Sequence, residues 1–120
     1  MSKHIQSAIA ITYIALVTLA EVAPLRTAEW RIGVLSFDKL AHAVSYAVML
    51  LLLLPLCGGK RLIAGLLAFA HGVAIELIQV HLPYRTADPY DLLANTIGIF
   101  LAVLFVIPML KRLFGEGWCE

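Results

Sequence analysis

Four long apolar runs set what this chain can become. They are IQSAIAITYIALVTLAEVAPL (Ile5 to Leu25), LAHAVSYAVMLLLLLPL (Leu40 to Leu56), LIAGLLAFAHGVAIELIQVHL (Leu62 to Leu82) and LLANTIGIFLAVLFVIPML (Leu92 to Leu110). Each comes close to the roughly 20 residues that an α-helix needs to cross a bilayer. Backbone groups in lipid must be satisfied within the segment, so all four read as helices. The period-2 alternation of a barrel strand is absent. At 120 residues the chain is one domain by length, and 62% of it is hydrophobic against 14% charged. A soluble domain of this size could not bury so much apolar surface, so lipid is the solvent for most of it. The expected fold is an all-α bundle of four transmembrane helices, roughly 5–25, 38–57, 62–82 and 90–110, in a single domain spanning 1–120. The first run follows Lys3 as a signal peptide would. However, it is long, and Glu21 stands where a small-residue cleavage site belongs, so it reads as a retained helix.

The loops orient this bundle. Lys3, Lys60, Arg61, Lys111 and Arg112 fall on one side, and Arg26, Arg31, Lys39 and Arg85 on the other. The first side is cytoplasmic by the positive-inside rule, which puts both termini there, and the bias sharpens if Lys39 and Arg85 belong to a site. Trp30, Phe37, Tyr84 and Tyr90 then mark the outer boundary, and Phe114 and Trp118 the inner one. The expected location is the bacterial inner (plasma) membrane, as a multi-pass protein. No basic, aromatic-interleaved stretch points to nucleic acid. Cys57 and Cys119 form no CxxC pair, which makes a cysteine metal or redox site unexpected.

Under this topology the polar residues share one depth, near the outer face. Asp38, Lys39 and His42 open the second helix, Glu76 and Gln79 close the third, Arg85 and Asp88 lie in the following loop, and Asp91 and Asn95 open the fourth. Helical spacing arranges them in stripes: Asp38–His42–Tyr46, Gly72–Glu76–Gln79 and Asp91–Asn95–Gly98–Ala102. Small residues such as Gly72 and Gly98 let neighbouring helices approach closely. The stripes outline a polar cavity open to the outer surface. Plainer roles also exist. Asp38 and Asp88 fit helix N-caps, Lys39 can snorkel, Asn95 can bridge helices, His71 fits a packed, hydrogen-bonded histidine, and Glu21 can face headgroup water. Glu76 and His42 are harder to explain this way, because ionisable groups inside a span are costly and usually face a partner.

The ordered set DK..H...Y (from Asp38), G...E..Q (from Gly72) and P.R..D..D...N..G (from Pro83) resembles the VanZ-like membrane proteins, over roughly Pro24 to Leu110. The family is named for a protein associated with teicoplanin resistance. The resemblance implies that Asp38, Lys39, His42, Glu76, Gln79, Arg85, Asp88, Asp91 and Asn95 are motif residues, and that glycopeptide resistance and cell-envelope functions are the first to test. The family has no settled biochemical activity.

Two functional classes lead from the sequence, ahead of a proton-coupled transporter, for which the polar stripe would have to continue to the cytoplasmic side. In the first, the site binds or acts on an anionic, lipid-linked cell-envelope molecule. His42, Glu76 and Asp91 would supply acid, base or nucleophile, and Lys39, Arg85, Gln79 and Asn95 would hold the substrate. Asp88 and Asp91 would hold a hard divalent cation such as magnesium, while Asp38, Gly72 and Gly98 would be structural. In the second, the protein is a non-catalytic accessory or structural membrane protein whose polar cluster fixes helix packing or binds a partner protein. The excess of carboxylates over fixed cations favours the first class.

Overall fold

The computed structural model describes residues 1–24, 31–32, 35–85 and 87–119. Arg26, Trp30 and the side chain of Arg31, which bear on the orientation argument, lie outside the described part. The helices are α1 (Lys3–Val22), α2 (Phe37–Leu53), α3 (Arg61–Gln79), α4 (Pro89–Leu101) and α5 (Ile107–Phe114). A π-helical turn, Ala102–Val106, joins α4 to α5 in one continuous rod. Between α1 and α2, Arg31–Ile32 and Leu35–Ser36 pair as two antiparallel two-residue strands. So short a pair leaves no alternation to read in a sequence, and the rest of the described secondary structure is helical.

Helix ends follow local chemistry. Pro24 follows α1, and a proline disfavours the helical conformation of the residue before it. α2 stops at Leu53, short of the expected 57; Leu54 keeps helical angles (φ −55°, ψ −50°), and Pro55 opens a 3-10 turn, Pro55–Cys57. Gly58 and Gly59 then reverse the chain at φ +62° and +77°, conformations open to glycine at little cost. α3 stops at Gln79, before the expected 82. The fourth helix runs past the expected 110 to Phe114 in spite of Pro108. Proline removes an amide donor and crowds the carbonyl four residues back; the π turn just before it is a known way for a helix to absorb such a defect.

α1, α3 and the α4–α5 rod are, among the described residues, the helices long and apolar enough to cross a membrane. α2 is shorter and lies between them, touching all three. Its Tyr46, Met49, Leu50 and Leu54 are buried at helical spacing against Ala64 and Ala68 of α3 and against Ile99, Ala102 and Ile107 of the rod. Small residues on α3 allow that close approach. On the outside, Leu16, Leu19, Leu66, Leu77, Phe100 and Phe105 are each more than half exposed, a surface suited to lipid and not to water. The longest dimension, 44 Å, matches a bilayer with its headgroups, about 40–45 Å.

Candidate functional site

The C-terminal ends of α1 and α3 and the N-terminal ends of α2 and α4 meet at one end of the bundle. There Glu21, His42, Gln79, Asp91 and Asn95 are buried side by side. Two glycines make this meeting possible. A Cβ on Gly98 would lie 2.0 Å from the carbonyl oxygen of Ala43, so α2 and α4 cross at backbone contact. Gly72 faces the amide of Asn95 and the ring of Tyr46.

His42 is the centre. Its Nδ1 lies 3.0 Å from Asn95 Oδ1 and 3.1 Å from Glu21 Oε1. Both neighbours are acceptors, so Nδ1 carries the proton and Nε2 points the other way. Nε2 stands 3.6 Å from Asp91 Oδ2 and 3.8 Å from Asp38 Oδ1, beyond hydrogen-bond reach of either. A carboxylate behind a histidine and an open ring nitrogen in front is the arrangement that general bases and metal ligands share.

Lys39 forms the second centre. Its ammonium hydrogen-bonds Asp91 and, at 2.6 Å, Asp88 Oδ2, with Asp38 at 3.7 Å. Asp88 also caps α4, accepting from the amide of Tyr90 at 2.9 Å. The Lys39 ammonium holds the Asp88 carboxyl below the usual carboxylate range, against a smaller opposing effect of desolvation. Asp38 does not cap α2. Ser36 does, through its hydroxyl and the amide of Lys39, which leaves the half-exposed Asp38 carboxylate at the mouth.

Behind Glu21 runs a chain of polar groups into the bundle. Tyr46 donates to Glu21 Oε2 at 3.2 Å and lies 2.8 Å from His71 Nδ1. His71 Nε2 in turn lies 2.8 Å from Thr18 Oγ1. Thr18 gives its own hydroxyl proton to the Ile14 carbonyl at 2.8 Å, so it accepts from His71 Nε2. Sequence reasoning places Tyr46 on the His42 stripe and reads His71 as a packed, hydrogen-bonded histidine, but it does not count Glu21 among the site residues. The signal for Glu21 was present: a carboxylate in the last turn of an apolar run.

The remaining motif residues have specific partners. Glu76 is half-buried and accepts the backbone amide of Asp88 at 3.1 Å; no hydrogen bond joins it to His42 or Asp91 among the described residues. Gln79 donates to the Glu21 carbonyl at 2.9 Å, while its buried Oε1 has no partner among the described residues. Arg85 lies outside the carboxylate pairs. It donates to the Ala20 carbonyl at 2.8 Å and twice to that of Ala23, at 2.7 and 3.2 Å, capping the exposed carbonyls at the end of α1. Tyr84 adds a bond to the Val22 carbonyl at 2.8 Å. The ligand atoms that stand closest together as a possible cation site are those of Asp38, His42 and Asp91, all within 4.8 Å of one another. Asp88 falls outside that trio.

No curated protein and no solved structure matches the chain. One family model does, that of VanZ/LLP1, and it matches residues 2–112. That span contains α1 to α4 and every residue of the polar cluster, and it places this chain in the VanZ/LLP1 family.

Proposed function

We propose that this protein is a multi-pass protein of the bacterial plasma membrane with four crossings, whose polar end faces outward and engages the anionic head of a lipid-linked cell-envelope molecule. α2 counts as a crossing because of where its ends lie. Its first turn meets Asp88 and Asp91, and its last leads through a tight turn to Arg61 at the opposite end of α3. The outward orientation rests on the basic loops, with Lys60, Arg61, Lys111 and Arg112 at the other end.

The observation that carries the functional reading is His42 Nε2, oriented from behind by Glu21 and Asn95 and aimed between Asp38 and Asp91 at the mouth of the bundle. Five carboxylates (Glu21, Asp38, Glu76, Asp88 and Asp91) surround Lys39 and His42, with Arg85 engaged on α1 carbonyls. A cluster serving packing alone would balance its charges, since unpaired buried charge is costly. Among the described residues acid is in surplus, available for proton transfer or for a cation. Lys39 is, among the described residues, the cation nearest the mouth, and an anionic headgroup would exchange with Asp88 for it. Asp38, His42 and Asp91 are the residues that would hold a divalent cation, whose chemistry is to bridge acidic oxygens of protein and ligand. With no cation bound, His42 Nε2 is the base of this arrangement, its other ring nitrogen held by Glu21 and Asn95.

The test is the set of amphiphiles that co-purify with the protein from its native membrane, read by native mass spectrometry, for wild type, Lys39→Ala and Asp91→Asn. A phosphate-bearing species retained by wild type and lost from both variants at normal membrane abundance is the expected result. Identical bound species in all three overturns the reading. So does loss of both variants from the membrane, which would make the cluster a packing device. Glycopeptide susceptibility of cells carrying the same variants is the first phenotype to measure.

A further inference from the structure

At the end away from the polar cluster, the outward faces of α3 and the α4–α5 rod do not close on each other. They leave an open groove of about 510 Å³, within the range of small-molecule sites. Gly65 forms its floor, and Phe69, Phe100 and Val103 line its walls. Thr96 contributes only its methyl, because its hydroxyl donates to the Leu92 carbonyl at 2.8 Å. Among the described residues the single charged group on the rim is Arg61, at the first turn of α3. Its guanidinium makes no hydrogen bond or ion pair among the described residues, and Lys60 beside it is equally free. No acidic residue occupies the first turn of α3, and its N-cap, Lys60, makes no side-chain bond to the helix amides. The positive end of a long helix therefore adds to two unpaired cations.

We propose that this groove binds one acyl chain of an anionic phospholipid, whose phosphate rests on Arg61. The occupant follows from charge and length together. From Arg61 to Phe69 α3 rises about 12 Å, most of the ~15 Å of hydrocarbon in one leaflet. A chain laid in the groove therefore ends its headgroup at the guanidinium. Anionic lipid is attracted to basic residues at a membrane surface, at about 1 kcal/mol for each, and the phosphate needs a partner that no carboxylate among the described residues competes for. The site is separate from the polar cluster and does not depend on its function.

The experiment uses the full chain reconstituted in phosphatidylcholine vesicles doped with phosphatidylglycerol, then extracted and examined by native mass spectrometry. Wild type retains one phosphatidylglycerol in preference to phosphatidylcholine. Arg61→Ala lowers that preference about fivefold, the factor that ~1 kcal/mol corresponds to, and Arg61→Lys keeps most of it. Arg61 is exposed at the end of a helix, so these variants leave the core intact. Thr96→Trp, which fills the groove from its wall, reduces retention of both lipids. Equal retention of the two lipids by wild type overturns the proposal, as does an unchanged preference in Arg61→Ala. A dimer that forms without bound lipid would also overturn it, by assigning the groove to a second copy of the chain.

Discussion

Gly98 is the position at which one methyl group should do most damage. Its ideal Cβ would lie 2.0 Å from the Ala43 carbonyl oxygen and 2.7 Å from its carbon, both backbone atoms of α2. No rotamer relieves such a clash. α2 and α4 would have to part by ~1 Å or more to restore ordinary contact. The same movement would stretch the bond between His42 and Asn95 from its present 3.0 Å to about 4 Å, where it no longer exists. Overpacking costs ~1–3 kcal/mol and the lost bond about 1 more. Replacing a helical glycine returns ~0.5–1 kcal/mol. Gly98→Ala should therefore destabilise by about 1–3 kcal/mol. Gly65→Ala is the control: its new methyl would meet Leu50 and Ile99 side chains at 3.5 and 3.6 Å, ordinary contacts, so it should be neutral or stabilising. Gly72→Ala belongs between them, since its nearest neighbour, the Asn95 amide nitrogen at 3.0 Å, is a side-chain atom that can give way. Reversible unfolding in mixed detergent micelles should rank the variants Gly65, Gly72, Gly98 in falling stability. If Gly98→Ala is as stable as Gly65→Ala, the backbone contact between α2 and α4 is wrong, and the geometry around His42 with it.

Three further outcomes are expected. In a background without native cysteines, His81→Cys should react with a membrane-impermeant thiol reagent in intact cells and Lys60→Cys should not; the reverse would put the polar cluster in the cytoplasm. Arg85→Ala should loosen the end of α1, at about 1.5–3 kcal/mol for hydrogen bonds from a charged donor or less where water reaches them, and protease sensitivity should rise after Val22; an unchanged pattern would leave Arg85 free for a ligand. Asp88 has a lower pKa folded than unfolded, so its pairing with Lys39 stabilises above the unfolded carboxylate value, about 3.9, and fades as pH falls through the folded one. The stability advantage of wild type over Asp88→Asn should hold from about pH 7 to 5 and shrink in stronger acid; an advantage independent of pH would mean that the charge of Asp88 is not what matters.

The sequence by itself determined the solvent and the gross architecture. Long apolar runs make helices in lipid because no other structure satisfies their backbone there, and prolines and glycines between them mark most of the ends. It also determined the depth of the polar residues, since depth follows from distance along a helix of known rise. Helical spacing gave the buried stripe from Asp91 through Asn95 and Gly98 to Ala102. Rotation of one helix about its axis against another is different. It depends on how side chains interlock, and periodicity on one helix carries no information about its neighbour. For that reason only the tertiary structure decided that Glu21 of α1, not Glu76 of α3, stands behind His42, and that Glu76 faces the Asp88 amide instead. The same cause gave Arg85 to the carbonyls of α1, a partner far away in the sequence that a loop position could not reveal. Capping by Ser36 in place of Asp38 turned on where α2 begins: it starts at Phe37, so Ser36 reaches the Lys39 amide and Asp38 is already inside the first turn. The π turn before Pro108 lets the rod continue past a residue that has no amide to donate, which helical periodicity in the sequence does not reveal.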